Sequence, residues 1–160
     1  MFQKILIPLD GSLQSQAALE PARHMAHWNH SEIVLVRFPG LPQEAEVTPL
    51  APVSPEAYAR ERIRCERYLK RMANELFQAG LKVSWEVVQT HEDALSNLLW
   101  AIQHFQVDLV VMTSHSRSGV KRMLRGSIAE MLIRQAPCPV LVIGKKSQLL
   151  QNFLHRPLAL

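Results

Sequence analysis

Five short apolar runs, separated by stretches with helical spacing, constrain this chain more than any other feature. They centre on Ile5-Leu6-Ile7, Ile33-Val34-Leu35-Val36, the segment Lys82–Val88, Leu109-Val110-Val111-Met112 and Val140-Leu141-Val142-Ile143. Runs that are apolar at consecutive positions, rather than alternating, suit strands covered on both faces. Strands are therefore expected at Lys4–Leu9, Glu32–Phe38, Lys82–Val88, Asp108–Thr113 and Pro139–Ile143.

The intervening segments carry helix signals. Residues 13–27 place Ala18, Ala22, Met25 and Ala26 at helical spacing, with Pro21 predicting a kink. Pro39–Pro55, rich in Pro and Ala, is a surface excursion. Ser54-Pro55 starts a helix that runs to about Ala79, striped by Tyr58, Cys65, Leu69, Met72 and Leu76 and stopped by Gly80. Thr90-His91-Glu92-Asp93 resembles a capping box before a helix striped by Leu95, Leu98, Leu99, Ile102 and Phe105. Ser127-Ile128-Ala129-Glu130 is a second such box, opening a helix to about Gln135. Alternating β and α elements predict a parallel sheet with helices on both faces. The expected organisation is one α/β domain over 1–144 and a tail extension over 145–160.

Composition narrows the class. A chain of 160 residues can bury a core without a disulfide or metal staple. Its 18 basic and 14 acidic residues give +4, too mild to argue for nucleic acid. The two cysteines, Cys65 and Cys138, form no CxxC motif. The first apolar run is broken at Pro8 and Asp10, too short for a signal segment or a membrane span. The expectation is a cytoplasmic protein without nucleic-acid or membrane partners.

Ligands of open α/β sheets bind at the carboxyl ends of strands, where strand order reverses. Two strand ends stand out. Pro8-Leu9-Asp10-Gly11-Ser12 follows the first strand, and a polar loop from Thr113 to Gly126 follows the fourth and feeds the helix headed by Ser127. A helix N-terminus preceded by Gly126, with Arg117, Lys121, Arg122 and Arg125 nearby, suits a phosphate. The plainer alternative is that Ser127 only caps its helix and the basic residues are solvated.

Four blocks together resemble the universal stress protein family: Ile5–Ser12, Met112–Gly119, Leu124–Glu130 and Ala136–Val142. The resemblance spans residues 2–143 in order and spacing. It implies a Rossmann-like three-layer sandwich whose five-stranded parallel sheet has the order 3-2-1-4-5. It implies a homodimer through the last strand, and an adenine nucleotide, ATP or AMP with optional Mg2+, bound for regulation. Slow ATP hydrolysis is the most catalysis it implies. On this resemblance Asp10 accepts from the ribose or adenine side, Pro8 and Leu9 line the base pocket, and the backbone around Phe38 meets the adenine edge. Met112 and Thr113 line the ribose and phosphate entry, and Ser116, Gly126, Ser127 and Ile128 hold phosphates.

The chain departs from the family's pattern G-2x-G-9x-G-[ST], because Thr113 and Ser116 replace the first two glycines while Gly126-Ser127 keeps the end. A hydroxyl residue can donate to a phosphate, but it is strained wherever a positive φ is required. This departure keeps a second class open: a nucleotide-free interaction module that binds a further protein, with the tail as a contact. The turn at Thr90–Ala94 also lacks the family's G-x-P-A form. A flavin or dinucleotide enzyme is a distant third, since Asp10-Gly11-Ser12 is no G-x-G-x-x-G. His24, His27 and His30 lack a convergent ligand set and are expected in solvent, as is the mixed-charge face of the second helix, with Glu56–Arg60 and Glu66–Lys70 pairs.

Overall fold

Five parallel strands form one sheet in a computed structural model that describes residues 1–40, 54–89, 93–114 and 128–144. They are β1 (Lys4–Pro8), β2 (Glu32–Arg37), β3 (Lys82–Val87), β4 (Leu109–Thr113) and β5 (Val140–Ile143), in the order β3-β2-β1-β4-β5. The chain thus builds outward from β1 to β3, then crosses back to lay β4 and β5 on the other side of β1. Among the described residues five helices flank them: α1 (Leu13–Gln16), α2 (Leu19–Asn29), α3 (Pro55–Gln78), α4 (Ala94–His104) and α5 (Ile128–Gln135). The fold is the expected Rossmann-like sandwich.

Strand side chains alternate between faces, so the sheet separates two cores. Ile5, Ile7, Ile33 and Leu35 pack with Ala22 and Ala26 of α2 and Leu69 and Met72 of α3. Leu6, Val34, Val36 and Val110 pack with Leu98 and Ile102 of α4 and Leu132 of α5. Because both faces are covered, Ile5, Leu6 and Ile7 are all fully buried, which is why the run reads as continuously apolar.

Three local expectations are corrected. The first helical segment breaks into α1 and α2 instead of kinking. Pro21 falls in the first turn of α2, where a missing N–H costs no intrahelical bond. Tyr58 lies off the buried stripe of α3 at 41% exposure, because its neighbour Ala57 takes the inward position in line with Cys65 and Leu69. The cap of α4 is Asp93, whose Oδ1 accepts from the Ser96 N–H at 2.8 Å; Thr90 to Glu92 lie outside the described residues. At both ends of α3 the signals act as expected, whereas Ser127 and most of Pro39–Pro55 lie outside the described residues. Ser54 caps α3 by accepting from the Ala57 N–H at 3.2 Å, and Gly80 ends it at φ 81°.

At the amino end of the sheet, the Asp108 carboxylate accepts the Gln3 and Lys4 N–H groups at 2.7 and 3.0 Å. Asp108 returns its own N–H to the Lys4 carbonyl at 3.1 Å. This clasp joins the start of β1 to the start of β4.

Candidate functional site

The sheet reverses direction of growth at β1 and β4, and there the ladder is short. Only Ile5–Leu109 and Leu6–Val110 are paired. Beyond them each strand is held by its outer neighbour: Ile7 and Pro8 pair with Leu35 and Val36 of β2, and Met112 and Thr113 pair with Val142 and Ile143 of β5. The ladder between β1 and β4 thus stops short of their carboxyl ends, the place at which ligands of open α/β sheets bind in a crevice.

The β1 side of that crevice is built by a locked turn. Asp10 is half-buried, and its Oδ1 accepts both the Ser12 N–H at 2.8 Å and the Ser12 hydroxyl at 2.6 Å. The Ser12 Oγ accepts the Ser15 N–H at 3.1 Å and so caps α1. The Ser15 hydroxyl donates to the Ser12 carbonyl at 2.9 Å, while its oxygen accepts the Asp10 N–H at 3.4 Å. A short polar residue that bonds its own backbone two positions on is the reason Asp-Gly-Ser makes a tight turn. Gly11 supplies the positive φ of 87° that the turn requires.

The expected site residues distribute as follows. Pro8 ends β1, while Leu9, at 2% exposure, sends its side chain into the core beneath α2 and α3. Phe38 follows β2, half-buried against the opposite core. Met112 and Thr113 close β4, both buried, and Ile128 heads α5 against that same opposite core. Pro8, Asp10, Met112 and Thr113 thus share the carboxyl ends of adjacent strands. Ser116, Gly126 and Ser127, with His115 and the basic residues 117–125, lie outside the described residues.

Sequence reasoning missed Arg37, a cation ending a buried strand, whose side chain is only 14% exposed. The available signal was its parity with Ile33 and Leu35, which aims it at the core beneath α3. His24 is exposed and meets Glu20 at 3.2 Å, and no cluster of three His, Cys, Asp or Glu suited to a metal exists among the described residues. Glu66 pairs with Arg62 at 3.0 Å, in place of the expected Lys70. Burial pushes the Cys65 thiol from an ordinary 9.0 up to about 11 and also raises Cys138, so both resist thiolate formation.

Comparison with known proteins gives this arrangement its kin. The model of the universal stress protein family matches residues 1–144. The universal stress protein MJ0531 of Methanocaldococcus jannaschii is 30% identical over 151 residues, covering 91% of this chain and 84% of the relative. The chain belongs to the universal stress protein family. The universal stress protein YxiE of Bacillus subtilis is 27% identical over 89% of this chain and 99% of its own. The solved structure of MJ0577 superposes with a TM-score of 0.73 at 24% identity, covering 92% of this chain and 99% of that one. Among universal stress protein structures of the same fold, one in complex with cAMP (21% identity, 89% and 97% coverage) has a TM-score of 0.61. One from Archaeoglobus fulgidus in complex with dAMP (15% identity, 88% and 97% coverage) has a TM-score of 0.62.

Against the universal stress protein glycine pattern, Thr113 is a settled substitution. Its backbone continues β4 in register with Ile143, and the only non-glycine residues at positive φ among those described are His30 and Gln106. Position 113 therefore needs no glycine for its backbone conformation.

Proposed function

We propose that this universal stress protein is an adenine-nucleotide-binding regulatory module of the stress response. The observation that carries the reading is the end of the β1–β4 ladder after Leu6–Val110, with the locked Asp10 turn following one strand and Thr113 closing the other. The fold shared with structures holding cAMP and dAMP supports it. In this reading Asp10 accepts from the ribose, the backbone at Phe38 meets the adenine edge, and Pro8 and the backbone of Leu9 border the base, the Leu9 side chain being turned into the core. Met112 and Thr113 border the ribose, and Ser116, Gly126, Ser127 and the N-terminus of α5 at Ile128 hold phosphates, with Mg2+ as their counter-ion. The module is cytoplasmic, pairs with a second copy through β5, and carries residues 145–160 as a tail outside the domain at 1–144. No residue is assigned to catalysis.

Thermal unfolding with ATP, ADP or AMP, each with and without Mg2+, tests the site. A ligand that binds only the folded state, at a hundred times its dissociation constant, adds about 2.7 kcal/mol. A shift specific to adenine nucleotides, lost in Ser127→Ala with Gly126→Val, is the expected outcome. No shift with any nucleotide would sink the reading. It would favour a nucleotide-free interaction module that binds a further protein.

A further inference from the structure

We propose that Arg37 is a positioning residue, holding the Asp10 turn in shape from beneath the nucleotide crevice. Its role for ligand rests on the nucleotide reading; its role for the turn does not. Arg37 is the last residue of β2, paired with Val87, and shares the face of Ile33 and Leu35. Its guanidinium lies flat against Gly11. A Cβ at that position would come within 2.8 Å of Nη1 and 3.0 Å of both Cζ and Nη2. Three atoms of one plane at nearly one distance mean that the plane itself covers the glycine.

Helix α3 holds the plane there. The Cζ of Arg37 stands 4.9 Å from the centre of the Tyr68 ring, and Nη2 is 3.9 Å from Glu61 Oε1. Glu61 is itself only 12% exposed and is fixed by Arg64 at 3.1 Å and by the Cys65 Sγ at 3.6 Å. A largely buried cation is costly without partners, and this one has a carboxylate and an aromatic face. A guanidinium stacks where a lysine ammonium cannot, because it is planar and weakly hydrated. The Tyr68 phenol feels both the Arg37 cation and the Asp10 carboxylate, which puts the two charges in one neighbourhood. Gly11 is thus constrained twice, by its φ of 87° and by the plane against it. The residues on either side, Asp10 and Ser12, inherit that constraint.

Amide hydrogen exchange by NMR, together with AMP titration, tests this in Arg37→Met and Arg37→Lys. In Arg37→Met the Ser12 and Ser15 amides should exchange about tenfold faster while Ile5 to Ile7 keep their protection. The AMP dissociation constant should rise by a similar factor, with Arg37→Lys between the two. Unchanged exchange at Ser12 and Ser15, or an equal loss of protection in every strand, would overturn the proposal. If Arg37→Met does not fold, Glu61→Gln, which leaves the guanidinium but neutralises its partner, should give the same local pattern at smaller size. If the wild-type chain binds no AMP, the nucleotide reading fails by itself, and the exchange data still decide the role of Arg37.

Discussion

The two edges of the sheet are finished differently. β3 spans Lys82–Val87 and makes six ladder pairs with β2, leaving Lys82 and Glu86 exposed together with Trp85 at 37%; its Ser84 hydroxyl donates to Glu32 at 2.7 Å. β5 makes four ladder pairs with β4, and every one of its residues is aliphatic. Leu141 is 40% exposed on the face where Ile143 reaches the core. Charge on an edge strand discourages another strand from joining it, and a bare apolar edge invites one. The contrast teaches that β3 guards its edge with charge while β5 has none, which is why the proposed pairing is placed at β5.

The largest effect should come from putting a charge on each edge in turn. If β5 forms the proposed interface, Leu141→Lys should leave only monomer in sedimentation velocity, because an unpaired charge buried in an interface costs several kcal/mol. Trp85→Lys on β3 should leave assembly unchanged. A dimer that survives Leu141→Lys would remove β5 from the interface. Truncation sharpens the same contrast within one protomer. Ile143→Ala, from 5% exposure, should cost about 2–4 kcal/mol by chemical denaturation. Val83→Ala, half-buried on β3, should cost roughly 1 kcal/mol. Equal costs would mean that the two edges share one degree of packing.

The smallest effect concerns alkali and the helix over the β3 side. Cys65 of α3 titrates near 9.0 when unfolded and at about 11 when folded. Between those values the unfolded chain has lost a proton that the folded chain keeps, so stability falls as pH rises through the window. The buried Tyr68 phenol, also raised, acts with the same sign. In denaturation series from pH 8 to 11, Cys65→Ala should flatten this decline. An unchanged slope would assign it to other groups.

Much of this was legible in the chain. Consecutive apolar residues at Ile5–Ile7 and Ile33–Val36 announced strands covered twice, and Asp10-Gly11-Ser12 announced a turn at a strand end. Where the reading slipped, tertiary position decided. Pro21 was harmless because a helix could begin just before it, and Ala57 displaced Tyr58 from the inward stripe by one position. Arg37 escaped notice because a charge at the end of a strand ordinarily faces solvent. Its partners, Gly11 and Tyr68, lie 26 residues before it and 31 after it, and only the folded sheet and α3 bring them together. Thr113 shows the converse. A motif comparison marked it as a departure, yet its strand conformation is ordinary.

The Asp108 clasp gives the crevice an unusual independence. β1 and β4 resemble the arms of a pair of tongs, riveted at the far end by three hydrogen bonds to Gln3 and Lys4. The rivet sits at the opposite end of the strands from Asp10 and Thr113, so the chemistry at the lips can change without touching it. The reverse also follows. Loosening Asp108 would be expected to alter the grip on anything held at the lips while leaving unchanged the identity of every residue that touches it.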